Sequence, residues 1–138
     1  RTGTDITLVS YGSTLRLVQI AAEKLATMGI NAEIIDVQSL IPLDKTAVIG
    51  ASVQKTSRLL IVDEDIPGGG SAYILSQLLE KQNIYQYLDS HPMLLTAKEH
   101  RPAYGTDGDY FSKPSIEDIV EKVYAIMHEA KPSQFPAL

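Results

Sequence analysis

Cysteine is missing from all 138 residues, which removes disulfides, thiolate nucleophiles and cysteine-ligated metals and fits a reducing compartment. Tryptophan is missing as well. No apolar run approaches the roughly 18–20 residues that a membrane-spanning helix needs. The first residues, Arg1-Thr2-Gly3-Thr4-Asp5, include no initiator Met and read as the interior of a longer polypeptide. They also lack the basic-then-apolar order of a secretion signal. Nor are there blocks of like charge: 12 Lys and Arg and 17 Asp and Glu, for a formal net charge of −5, are mixed along the chain. A mildly acidic domain repels nucleic acid phosphates and anionic membranes, and tolerates a basic partner. What is present is ordinary for one globular domain, with 44% hydrophobic and 21% charged residues, enough for a single substantial core.

Local patterns alternate between strand and helix. Ile6-Thr7-Leu8-Val9-Ser10 is β-branched and apolar and stops at Tyr11-Gly12-Ser13, a buried strand entering a tight turn. Ser13 or Thr14 is placed to cap a helix, whose apolar positions Leu15, Val18, Ala21, Ala22, Leu25 and Met28 end at Gly29. Ala32–Val37 forms a second strand, so the first two strands are parallel through a crossover. A loop stiffened by Pro42 leads to Asp44 as the next cap and a helix through Val48, Ile49 and Val53. Arg58–Asp63 is apolar on both faces and predicts a central strand. A loop over 64–70 and a helix over 71–81 follow, then a short strand near Met93–Thr96. Ala97 to Pro114 is a long connection. Ser115 and Asp118 have capping-box spacing at the head of a last helix to about Glu129. The fold expected is a three-layer α/β/α sandwich around a mostly parallel sheet of about five strands, over 1–130, with an irregular tail at 131–138.

Open parallel sheets bind ligands beyond the carboxyl ends of their strands. Gly68-Gly69-Gly70 leads into a helix there, so free amides and the helix dipole are candidates for an anion contact. The string lacks the Lys-Ser/Thr of a phosphate loop and the spacing of a dinucleotide fingerprint, and the bland reading is a close turn. A positive φ at Gly69 would make a β-branched replacement there destabilising. Asp63, Glu64 and Asp65 cluster where a receiver domain keeps its phosphoacceptor, yet Ser10-Tyr11-Gly12 stands where the magnesium-binding acids would be. A flavin site would need a hydroxyl-rich loop after the first strand. His91, His100 and His128 are far apart. His100-Arg101 beside Tyr104 is the best placed for an anion or interface contact. Ser10 and Ser13 are not in a nucleophile elbow. No catalytic, cofactor-binding or metal-binding set emerges. The contact candidates are Glu64, Asp65, Gly68, Gly69, Gly70, His100 and Arg101.

Gly3-Thr4-Asp5-Ile6-Thr7-Leu8-Val9-Ser10-Tyr11-Gly12 resembles the opening of the C-terminal, transketolase-like domain in beta subunits of 2-oxo acid dehydrogenase decarboxylases. Ala21–Leu25 with Gly29–Asp36, Ser39–Asp44, and Ser52–Glu64 followed by Gly69-Gly70 continue the resemblance in order over about the first 80 residues. Beyond them, where the family carries an Arg-Val-x-Gly-like strand and a Pro-x-Pro stretch, this chain has Leu94–Tyr104 and Phe111–Ser115.

The resemblance implies a domain of an enzyme that decarboxylates pyruvate or a branched-chain 2-oxo acid on thiamine diphosphate and passes the acyl group to a lipoyl arm. Thiamine diphosphate and magnesium would be bound by the preceding domains. This domain would pack on those domains, extend a dimer contact and help dock the acyltransferase's basic subunit-binding domain. The compartment implied is the cytoplasm, or the mitochondrial matrix in a eukaryote. Two alternatives stay open: the last domain of a transketolase or deoxyxylulose phosphate synthase, and a freestanding anion- or nucleotide-binding module.

Overall fold

A computed structural model describes residues 1–137. Four strands, β1 (Ile6–Ser10), β2 (Ala32–Asp36), β3 (Leu59–Val62) and β4 (Met93–Leu95), form one sheet in the order β2-β1-β3-β4. All three pairings are parallel. The sheet is one strand smaller than the count of about five expected from the sequence. β1 and β3 lie in its middle, as their two-sided apolar sequences require, and every residue of both is buried.

Side-chain alternation sends β3 into two cores. Leu60 and Val62 join Ile6, Leu8 and Ile34 under α1 (Thr14–Thr27) and α5 (Ile116–Ala130). Leu59 and Ile61 join Val9 under α2 (Val48–Thr56) and α3 (Gly70–Lys81). This is the three-layer sandwich: two helices on one face, two on the other. A single 3-10 turn, Ile84–Tyr87, drops Ile84 into the second core. A short helix α4, Gly108–Ser112, lies inside the long connection.

Capping departs from expectation at α1 and follows it elsewhere. Neither hydroxyl caps α1: the Ser13 Oγ donates to Glu64 at 2.9 Å and the Thr14 Oγ1 donates to the Tyr11 carbonyl at 2.8 Å. Asp44 does hold the start of α2, accepting from the Val48 and Ile49 amides at 2.9 and 2.8 Å. Ser115 and Asp118 form a reciprocal capping box on α5. Replacing Ser115 with alanine should therefore cost about 1 kcal/mol of stability, measured by urea unfolding; an unchanged midpoint would mean that water caps α5 equally well. After α5 the chain folds back, with Phe135 only 5% exposed in the first core and its carbonyl 2.7 Å from His128 Nδ1.

The first five residues lie along the outer side of β2. The Ile34 amide donates to the Arg1 carbonyl at 2.9 Å, and the Thr4 and Asp5 amides both donate to the Asn31 carbonyl. Gly3 is the residue that makes this approach feasible, since a Cβ there would stand 2.2 Å from the Ala32 carbonyl carbon.

Candidate functional site

Strand order reverses between β1 and β3: the chain leaves β1 for β2 on one side, then builds β3 and β4 on the other. The loops leaving β1 and β3 diverge to opposite faces at this point, which opens the crevice where α/β sheets usually hold ligands. Here the chain's own polar groups fill it. Asp63, 1% exposed at the end of β3, accepts from the Tyr11 hydroxyl at 2.9 Å and from the Ser71 amide at 2.9 Å. Its other oxygen accepts from the Asp65 amide at 3.2 Å. A carboxylate thus occupies the amide-rich start of α3, the position where a bound anion would sit.

The glycines are shaped around that carboxylate. Gly68 has a φ of +91°, whereas Gly69 has a φ of −81°. The left-handed position is one residue earlier than the one expected from the sequence. A Cβ on Gly70 would stand 2.3 Å from the Tyr11 hydroxyl, and one on Gly69 would stand 2.1 Å from an Asp65 carboxylate oxygen. Gly70 therefore keeps room for the Tyr11–Asp63 bond, and Gly69 keeps room for an exposed side chain that can swing aside.

Tyr11 registers this environment. Burial first, then the hydrogen bond to Asp63 and the charges of Asp63, Asp65 and Glu64, push its hydroxyl up to about 12. An unfolded tyrosine ionises near 10, so the folded chain keeps its proton longer. Stability from this group is complete below about pH 10 and is lost as the pH rises toward 12. Ultraviolet difference titration should show one tyrosine ionising late, and Tyr11→Phe should remove that late step. Ionisation of every tyrosine near pH 10 would refute the coupling.

Glu64, next along, accepts from the Ser13 hydroxyl at 2.9 Å and from Lys113 at 3.1 Å. These two bonds hold its carboxyl below the usual range, and the same partner raises Lys113. The bonds tie the turn after β1, the loop after β3 and the end of α4 into one rim. His100 and Arg101 do not join it. His100 Nδ1 lies 2.9 Å from the Arg101 carbonyl, while the Arg101 guanidinium sits 4.9 Å from the Tyr104 ring centre and bonds its hydroxyl. So the structure gathers Glu64, Asp65 and Gly68–Gly70 at one crevice and leaves His100 and Arg101 on an exposed loop. Sequence reading placed Tyr11-Gly12-Ser13-Thr14 at the carboxyl end of the sheet but gave Tyr11 and Ser13 no role, and it missed Ser71 and Lys113. Only Tyr11-Gly12-Ser13, at the end of a buried strand, carried a local signal.

The Ser71 amide at the start of α3 is taken by Asp63 and so is not open to a diphosphate oxygen. Among the described residues no three His, Asp or Glu side chains come together as a metal site.

A family model described as transketolase, C-terminal domain, matches residues 1–113. The chain belongs to this family. Similar to this transketolase C-terminal domain are the pyruvate dehydrogenase E1 component subunit beta-1 (mitochondrial) of Arabidopsis thaliana, at 39% identity over 87% of this chain and 32% of the relative, and the pyruvate dehydrogenase E1 component subunit beta of Rhizobium meliloti, at 32% identity over 94% of this chain and 28% of the relative. The mitochondrial subunit beta of Drosophila melanogaster is 34% identical over 92% of this chain and 34% of its own length. The chain thus spans about a third of the curated relatives that it matches. A solved structure described as a split gene transketolase, inactive beta4 tetramer, has the same fold, with a TM-score of 0.73 at 21% identity over 95% of this chain and 41% of that one. No helix among the described residues is long and apolar enough to cross a membrane.

Proposed function

We propose that this transketolase C-terminal domain is the assembly and docking domain of a thiamine diphosphate-dependent pyruvate dehydrogenase E1 component, and that it supplies no catalytic group itself. The preceding domains of the same enzyme would hold thiamine diphosphate and magnesium. This domain would buttress them, extend the dimer contact and help receive the subunit-binding domain of the lipoyl acyltransferase. In a eukaryote the enzyme would work in the mitochondrial matrix, and in a bacterium in the cytoplasm. The similarity to pyruvate dehydrogenase subunits supports pyruvate over a branched-chain substrate.

The observation that carries the reading is the Asp63 carboxylate bonded to Tyr11 and Ser71 inside the switch-point crevice. A sheet built to grip a phosphate there would leave those donors free. A filled crevice makes the parallel sheet a rigid support, with its neighbours supplying the chemistry. The candidate contacts Glu64, Asp65, Gly68, Gly69 and Gly70 then serve as an interface edge, with His100 and Arg101 on a separate loop.

Calorimetry separates the readings. Titrated with thiamine diphosphate and magnesium, inorganic phosphate or ATP, the chain should release no binding heat, and with pyruvate and cofactor it should evolve no carbon dioxide. Micromolar affinity for phosphate or ATP would favour the freestanding module; cofactor binding or turnover would overturn the supporting role.

A further inference from the structure

We propose that residues 98–112 and the groove beside them form a docking surface for an arginine-bearing segment of a partner polypeptide. The groove shares Ser13, Glu64 and Lys113 with the rim of the crevice but uses none of the buried Asp63 bonds, and the proposal does not depend on which enzyme the domain serves.

The segment is a closed surface loop. The Lys98 amide donates to the Ser112 carbonyl at 2.9 Å, so its ends meet, and Gly108 packs so tightly that a Cβ would stand 2.0 Å from the Ala103 carbonyl oxygen. Compact loops with joined ends keep a definite shape and commonly carry function. This one turns its large aromatics outward: Tyr104 is 84% exposed, Tyr110 58% and Phe111 59%. Tyr110 and Phe111 pack edge to face with ring centres 5.5 Å apart. Aromatic side chains and arginine are the residues that recognition surfaces accumulate, because they bury much area at little entropic cost.

Tyr110 also forms a wall of a groove of about 430 Å³, open to solvent, between the starts of α1 and α5. Leu17, Pro114 and Ile116 give it an apolar floor. Three carboxylates line it, Glu64, Asp109 and Glu117, with Lys113 as the one cation in the lining. Lys113 bonds Glu64 at 3.1 Å and lies 3.7 Å from Asp109, while Lys24 reaches Glu117 at 3.0 Å from outside the lining. The Asp109 and Glu117 side chains remain 76% and 54% exposed, so each keeps acceptor capacity toward the groove mouth. An incoming group must therefore combine an apolar stem, a flat cationic head that stacks on a tyrosine, and donors for two carboxylates.

Arginine meets all three demands. Its methylenes suit the Leu17–Ile116 floor, and its guanidinium stacks on an aromatic ring while forking to carboxylate oxygens. Lysine offers a compact, strongly hydrated charge and no planar face, so it fits less well. An anion would face the carboxylates, and a purely apolar side chain would bury them unpaired.

The test uses the 138-residue chain, isotope-labelled for NMR, and the peptide acetyl-Ala-Ala-Arg-Ala-Ala-amide. Saturable shifts should appear at the Leu17 and Ile116 methyls and around Tyr110. The same peptide with citrulline for arginine, which keeps the shape and loses the charge, should bind about tenfold more weakly. The double variant D109N/E117Q should lose about tenfold, and Tyr110→Ala about threefold. Added salt should weaken the arginine peptide and leave the citrulline peptide unchanged. Shifts scattered over every surface acid, equal affinity for citrulline, or no saturable shift at all would overturn the proposal. Should a variant unfold, the citrulline comparison on the parent chain decides the matter alone. Retention of an acyltransferase subunit-binding domain is a separate measurement, so failure here and failure of the assembly role are distinguishable.

Discussion

Asp63→Ala is expected to lower the unfolding free energy by about 2–5 kcal/mol, because the neutral donors that the buried carboxylate satisfies are left without a partner. The carboxylate is 1% exposed and accepts from the Tyr11 hydroxyl, the Ser71 amide and the Asp65 amide. Each donor left unpaired costs about 1–3 kcal/mol, and the Asp65 amide regains water most easily. Alanine also strips a negative charge from the start of α3, worth about 0.3–1 kcal/mol. Asp63→Asn keeps the shape and one acceptor, so it should cost only about 1–2 kcal/mol. Urea unfolding of both variants checks this. Equal losses would mean that charge matters more than the acceptor count, and a loss below about 1 kcal/mol for alanine would mean that water occupies the gap.

Leu60→Ala should be of similar size, about 2–5 kcal/mol. Leu60 is fully buried in a central strand, paired with Leu8 on one side and with Met93 on the other. Its side chain faces the core under α1 and α5, where both flanking strands resist collapse into the gap. Ile61→Val, one residue along and facing the opposite core, removes a single methyl and should cost about 0.5–1.5 kcal/mol. A small Leu60 effect would require α5 to shift inward, which a changed denaturant slope or altered methyl shifts of Val123 would reveal.

The fold was legible where apolar side chains set the period. Leu59–Val62 is buried on both faces and could be read only as an interior strand, and Ile119, Val123 and Ile126 mark the inner stripe of α5. Gly108–Ser112 escaped because Asp107-Gly108 reads as a turn and Tyr110 and Phe111 stay exposed, leaving no periodic face. Ile84–Tyr87 escaped for a similar reason: one buried residue, Ile84, makes no stripe. At the site, an acid at the end of β3 was visible, but its partners were not. Tyr11 and Asp63 are 52 residues apart in sequence, and Ser13 and Glu64 are 51 apart. Such pairings come from the strand order and leave no trace in spacing. The missing cap on α1 has a backbone cause: Ser13 already takes helical angles, φ −67° and ψ −32°, instead of the extended geometry of an N-cap, and its hydroxyl donates to Glu64.

The strap of residues 1–5 on β2 has a consequence for self-association. Every sheet with free flanks can recruit another copy on either side and lengthen without limit. Here one flank is already occupied by Arg1, whose carbonyl takes the Ile34 amide. Only the β4 flank remains, three residues long. Two such sheets could meet there edge to edge, whereas pairing along β2 would first have to displace Arg1 from Ile34.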